Sequence, residues 1–117
     1  MHEMGITQGI LAASVDAVKG EGGTRINEIR ISVGEMTEVV EDALQFAFEA
    51  LRAEPDYAMA AGAVLLVTHV PASSACPTCD GEVFEHGRFD GQCPKCGNPF
   101  VEPRSGHELR IDSIDFD

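Results

Sequence analysis

Four cysteines, Cys76, Cys79, Cys93 and Cys96, limit what this chain can become more than any other feature. They form two C-x-x-C turns, "CPTC" and "CPKCG", separated by thirteen residues. Each turn presents a pair of sulfurs, and two such turns close a tetrahedron around zinc. Gly97, directly after the second pair, permits the positive φ that such a turn tends to need. The intervening "DGEVFEHGRFDGQ" carries glycines at both ends and a short β-like piece, as expected of a hairpin joining two knuckles. A closed set of four thiolates leaves no position for water, so a structural zinc is favoured over a catalytic one. A redox-active pair is the alternative, but thioredoxin-like chemistry uses one C-x-x-C at a helix start in a βαβ setting, not two. A disulfide framework suits small secreted proteins, and no basic start followed by an apolar stretch marks this sequence for secretion. His86 lies in the connecting loop, within reach of a metal but read first as a solvated loop histidine.

The remaining sequence has room for one domain around this module. Met4 to about Lys19 reads as a helix, with Ile6, Ile10, Val15 and Val18 near one face and Leu11 beside them. "KGEGGT" stops it. "RINEIRISV" follows as a strand with Ile29, Ile31 and Val33 on one face and Arg30 and Ser32 on the other. Thr37 is the expected N-cap of a second helix, with Val40, Leu44, Ala47, Phe48 and Leu51 as its buried stripe and Pro55 as its stop. Ala63 to Val70 is nearly continuous in apolar residues, which predicts a central strand covered on both faces. "PASSA" reads as a linker and "NPFVEPRSG" as a second loop. "HELRIDSIDF" returns as a strand in which the apolar phase passes from Leu109 and Ile111 to Ile114 and Phe116, the mark of a bulge or a change of partner. The expected fold is α+β: a small three-stranded sheet with two helices, plus an inserted zinc-ribbon-like module built on the four cysteines. The expected domains are 1–71 with 103–117, and 72–102.

Charge narrows the partners. The formal net charge is −12, and four thiolates around one zinc take it to about −14. Eight scattered Lys and Arg residues make a poor footprint for phosphates, so no nucleic acid is expected as a partner. The longest apolar run, Ala58 to Val67, is too short to cross a bilayer, so no membrane association and a cytoplasmic location are expected. No nucleophile–base pair or phosphate-cradling glycine loop is visible, so an enzyme is not expected.

On its residues alone the opening "MHEM" reads first as an ordinary solvated terminus, with a second metal site as the alternative. A terminal amine has a pKa of about 7.7–8.0, so part of it is unprotonated at neutral pH. The Met1 amine, the backbone nitrogen of His2 and the His2 imidazole can then form fused chelate rings. Glu3 adds a backbone nitrogen or a carboxylate. Planar nitrogen-rich sets suit Ni(II) or Cu(II) rather than zinc. His69 and His107, at strand ends, read as surface residues.

"MHEM", "ISVGEMTEVVEDALQFAFE", the paired C-x-x-C module and "SGHELRIDSI" occur in that order, and together they resemble the HypA/HybF family of nickel-insertion accessory proteins for [NiFe]-hydrogenase maturation. The resemblance runs the full length of the chain. It implies a nickel metallochaperone with Met1, His2 and Glu3 as the Ni(II) site, His2 supplying the principal imidazole. It implies structural Zn(II) on Cys76, Cys79, Cys93 and Cys96. The implied partners are a HypB-type GTPase and the hydrogenase large subunit, with the chain itself a monomer or weak homo-oligomer. Relatives that also serve urease carry histidines just after the second cysteine of each pair, where this chain has Asp80 and Gly97. A rearrangement of the zinc site relying on those histidines is therefore not implied here. The competing reading is a zinc-ribbon interaction module that binds protein surfaces and carries no transferable metal.

Overall fold

The computed structural model describes residues 2–117, with Met1 and the His2 side chain outside the described residues. Its architecture is α+β with two small sheets. In chain order the elements are α1 (His2–Gly20), β1 (Ile26–Gly34), α2 (Glu41–Leu51), β2 (Val64–Val70), β3 (Ser73–Cys76), β4 (Glu82–Glu85), β5 (Glu102–Ser105) and β6 (Leu109–Phe116). One sheet has the order β2-β1-β6 and the other β4-β3-β5. The chain packs as two units, 1–31 with 39–68 and 110–117, and 32–38 with 69–109; three of the four boundaries fall within β1, β2 and β6.

The first unit holds a hydrophobic core of ordinary kind. Helix α1 buries Ile10, Leu11, Val15 and Val18, the stripe its 3.6-residue period dictates. Helix α2 contributes Leu44, Ala47 and Phe48, and β1 contributes Ile26, Ile29 and Ile31. Phe48 is fully covered, and the Arg52 guanidinium lies 5.9 Å from its ring centroid. Two polar side chains share the α1 stripe. The Thr7 hydroxyl donates to the Glu3 carbonyl at 2.6 Å, whereas Ser14 Oγ is buried without a partner among the described residues.

The central strand is β1, not the apolar run that the sequence favoured. Strand β2 lies at the sheet edge, with Val64 and Leu66 both well exposed. A continuous apolar run records tolerance of a dry environment; it does not decide which neighbours pair. The edge is blunted by α2 and the residue after it: Gln45 donates to the Leu65 carbonyl and Arg52 to that of Ala63. Strand β6 pairs antiparallel to β1, since Gly34 N–H donates to Glu108 O while Asp117 N–H donates to Arg25 O at the opposite end.

The start of α2 also differs from expectation. Thr37 is not its N-cap; it ends a short 3-10 turn, Glu35–Thr37, and its hydroxyl donates to Gly34 O at 2.8 Å. Glu38 follows at φ 64, a left-handed step that no helix continues through. Helix α2 therefore begins three residues later, behind Val40, which offers no side-chain cap and is itself exposed.

The second unit draws two of its strands from segments that read as loops. "PASSA" contains most of β3, the middle strand of its sheet, paired antiparallel with β4 through Ser74↔Phe84 and Ala75↔Val83. "NPFVEPRSG" supplies β5 on the other side, with Pro103 tolerated at an edge and an irregularity between Ser73 and Ser74. Small residues made these stretches look like linkers, yet β3 buries Ser74, Ala75 and Cys76 because strands crowd it on both sides. Gly34 and Gly106 meet in this unit. A Cβ on Gly34 would lie 2.1 Å from the Gly106 carbonyl group, and one on Gly106, at φ +112, 2.7 Å from Ala72 Cα. Only glycines admit that crossing.

Two outcomes follow for stability. Phe48→Ala lowers unfolding free energy by about 3–5 kcal/mol, whereas Ser14→Ala raises it by about 1 kcal/mol, because an unsatisfied hydroxyl leaves the core and helix propensity improves; urea unfolding followed by helical circular dichroism separates the two. Asp117 gives the second. Arg25, 2.6 Å away, holds its carboxyl below the usual carboxylate range, with Asn27 assisting. Its contribution is complete above the ordinary carboxylate pKa and disappears as pH falls through the lowered value. NMR titration of the Asp117 carboxyl carbon should show that low midpoint in the parent chain and a return to the ordinary range in Arg25→Ala.

Candidate metal centre

Two short backbone turns bring the cysteines together. Strand β3 ends at Cys76, and Pro77–Cys79 form a 3-10 turn in which proline supplies the fixed φ that a first position tolerates. Asp80 and Gly81 then adopt positive φ, and Gly81 N–H donates to Cys76 O at 2.9 Å. Chain reversal is complete, so β4 returns against β3. The expected hairpin between the knuckles is thus a hairpin whose turn is the first knuckle. In the second, Gly97 N–H donates to Cys93 O at 2.8 Å with Gly97 at φ +74, and Cys93 N–H donates to Asn98 O at 3.0 Å.

The sulfurs converge accordingly. All four lie within 4.8 Å of one another. Cys76 Sγ is 3.6 Å from Cys96 Sγ, and Cys79 Sγ is 3.8 Å from Cys93 Sγ, so each of these short approaches joins one knuckle to the other. A tetrahedron with metal–sulfur bonds of about 2.3 Å has edges of about 3.8 Å. Disulfide bonding needs about 2.05 Å, and all four cysteines are free thiols. Donor set and spacing both fit a tetrahedral ion of the zinc type, held by Cys76, Cys79, Cys93 and Cys96. Cys76 and Cys93 are buried, Cys79 is half-buried and Cys96 is exposed, so one side of the cluster meets solvent.

The surroundings prepare the sulfurs unequally. A hydrogen bond with Thr78 brings the Cys76 thiol down to about 6 and lowers that of Cys96. Cys79 faces the other three sulfurs, Cys96 foremost, and is pushed up to about 12. Four sulfurs at this spacing cannot all shed their protons unless a cation replaces them. Lys95 stands nearby as a countercharge, paired with Glu82 at 2.5 Å and raised above its ordinary pKa first by that carboxylate and then by Cys79 and Cys93.

The other candidate ligands are dispersed. Neither ring nitrogen of His86 is left to open solvent. Nδ1 donates to Gly87 O at 2.8 Å, which leaves Nε2 to accept from the buried Ser74 hydroxyl at 2.8 Å. This half-buried histidine braces the sheet, in place of the solvated loop residue expected. His69 and His107 are exposed, and neither joins a metal-ligand cluster among the described residues. Met1 and the imidazole of His2 lie outside the described residues. Glu3 is half-buried; its carbonyl accepts from Thr7, and its carboxylate lies 3.5 Å from Val40 N, near the start of α2. Thr78 and Asn98 escaped the sequence reading, although a hydroxyl inside "CPTC" was a usable signal.

Comparison with known proteins places this geometry. Residues 1–116 match the family described as "Hydrogenase/urease nickel incorporation, metallochaperone, hypA". The chain belongs to the HypA family. It is 34% identical to the hydrogenase maturation factor HypA of Geobacter metallireducens over 117 residues, covering the whole of both chains. A solution structure of a HypA protein superposes with a TM-score of 0.74 over 100% of this chain and 97% of that one, at 23% identity. The solution structure of the Ni metallochaperone HypA from Helicobacter pylori gives 0.69 over 97% and 96%, also at 23% identity. At that identity the two structures establish a shared HypA fold and no more.

Because the buried part of the second unit is small, its folding should depend on the ion. Cys93→Ala is expected to lose the bound metal to a chelator and to lose hydrogen-exchange protection across residues 69–109, while the amides of α1 and α2 remain protected. Retained protection in the metal-free chain would contradict this.

Proposed function

We propose that this HypA-family chain is a nickel metallochaperone, and a carrier rather than an enzyme. It binds Ni(II) at its first residues and helps deliver it to a [NiFe]-hydrogenase large subunit, docking with a HypB-type GTPase on the way. Labour divides accordingly: residues 1–71 with 103–117 carry nickel, and 72–102 hold one Zn(II) on the four cysteines. The chain works in the cytoplasm as a monomer or weak homo-oligomer.

The observation that carries this reading is the closed sulfur tetrad in a family of nickel-incorporation proteins. Four thiolates on a tetrahedral ion leave no coordination position for exchange, so cargo needs a second site with a different donor set. Met1, His2 and Glu3 offer one made of amine, backbone nitrogen, imidazole and carboxylate. Helix α1 begins at His2, and the first four N–H groups of a helix have no intrahelical partner. Nickel can therefore displace those protons without breaking a helical hydrogen bond. A site at a chain end also surrenders its ion readily, since little packed structure must open. Protons compete for the amine and the imidazole, so nickel affinity falls as pH drops. Raw affinity cannot exclude Cu(II), which binds such donors more tightly; geometry and handover between docked proteins must do so.

Titration of the zinc-loaded chain with Ni(II) tests the reading. Parent chain, His2→Ala and a form with residues added before Met1 are compared. Both altered forms should bind nickel at least about tenfold more weakly while keeping their zinc. Equal affinity in all three would leave the zinc-ribbon interaction module as the better account.

A further inference from the structure

The tetrad has a neighbour whose hydrogen bonding is fully determined. Phe100 N–H donates to Asn98 Oδ1 at 2.9 Å, which fixes the side-chain amide, because only its oxygen can accept. The amide nitrogen then faces Thr78 Oγ1 at 3.3 Å and can only donate to it. The Thr78 proton must go elsewhere, and two sulfurs stand within reach: Cys76 Sγ at 3.2 Å and Cys96 Sγ at 3.3 Å. Thr78 belongs to the first knuckle, whereas Cys96 and Asn98 belong to the second. One hydroxyl therefore bridges both turns at the side of the cluster where Cys96 is exposed.

We propose that this Asn98–Thr78 relay locks the ion into the sulfur tetrad, its single proton shared between Cys76 and Cys96 so that metal is lost slowly. The proposal rests on the reading of the tetrad as a zinc site. Four thiolates around one divalent ion carry a net charge of −2, and a hydrogen bond to sulfur draws off part of it. Sulfurs so engaged are poorer targets for protons and for competing chelators. Backbone N–H groups can do the same within one turn, but a side chain that spans the turns also resists their separation, which is the motion that opens the site. Thr78 is thus a positioning residue for the metal, and it keeps the resident ion from being exchanged along with the cargo.

Four versions of the full-length chain are compared: parent, Thr78→Val, Thr78→Ser and Asn98→Ala. Each is loaded with zinc, and loss to a chelating dye is timed at fixed pH; Co(II)-loaded samples report the sulfur-to-metal charge-transfer band. Valine keeps the shape of threonine and removes the proton, so Thr78→Val should release zinc about tenfold faster and move the band to lower energy. Thr78→Ser should restore both, and Asn98→Ala should fall between. Parent behaviour from Thr78→Val in rate and band overturns the relay. So does Thr78→Ser behaving as Thr78→Val, since shape would then be the cause. A parent chain without a tetrathiolate Co(II) spectrum would sink the zinc reading itself, and that failure appears before any substitution is made.

Discussion

Everything in the second unit depends on four sulfurs being held together at tetrahedral spacing. Its buried side chains are few and small: Ser32, Ala72, Ser74, Ala75, Cys76 and Cys93, with Val33 the largest. Side chains of that size remove little apolar surface from water, at about 25 cal/mol per Å². The entropy of ordering the β4-β3-β5 sheet and two knuckles is not offset by such a core, and small units in this position usually rely on a metal or disulfides. Since the close sulfur pairs stand 3.6 and 3.8 Å apart, at the spacing of metal ligands and beyond a disulfide bond, a metal is the fitting device. Larger apolar side chains would have made the ion unnecessary, but Val83, Phe89 and Phe100 are all exposed.

The first unit is stabilised by different means. Phe48, Leu11, Ile26, Ile29 and Leu44 are fully covered, and the helices lend their stripes to that core. No ion is needed there to hold α1 in place, so events at its first turn can proceed without threatening the fold. That separation suits the proposed role of carrier. In the proposed scheme one ion is confined by four negatively charged ligands and cross-turn hydrogen bonds, whereas the cargo site uses donors that protons can reclaim. Tight and loose binding are thereby set by donor chemistry and by how much structure must move, with no need for a large difference in intrinsic affinity between the two metals.

Acidic character runs through the chain, with twenty Asp and Glu against eight Lys and Arg. Most of the described ion pairs are exposed, among them Arg25–Asp117, Arg88–Glu38 and Lys95–Glu82. Exposed pairs contribute little to stability. Their value is local: Arg25 secures the ends of β1 and β6, and Lys95 places a positive charge beside sulfurs that must become anionic.

What could be read from the chain alone was what local spacing controls. Two C-x-x-C turns specify a four-sulfur cluster because each turn is a few residues long and its geometry is set by proline, by glycine and by its own backbone hydrogen bonds. Helical stripes were legible for the same reason: Leu11, Val15 and Val18, or Leu44 and Phe48, recur at the period of a single helix. Tertiary pairing decided the rest. β2 became an edge although it is the more apolar strand, and "PASSA" became a central strand although it looks like a linker, because strand order is set by which distant backbones meet and not by side-chain character. Thr37 lost its capping role to a left-handed Glu38. Thr78 reaches Cys76 within its own turn, but it meets Cys96 and Asn98, eighteen and twenty residues away, only because the two knuckles close on each other. Such relations exist between segments, and one-dimensional periodicity carries no record of them.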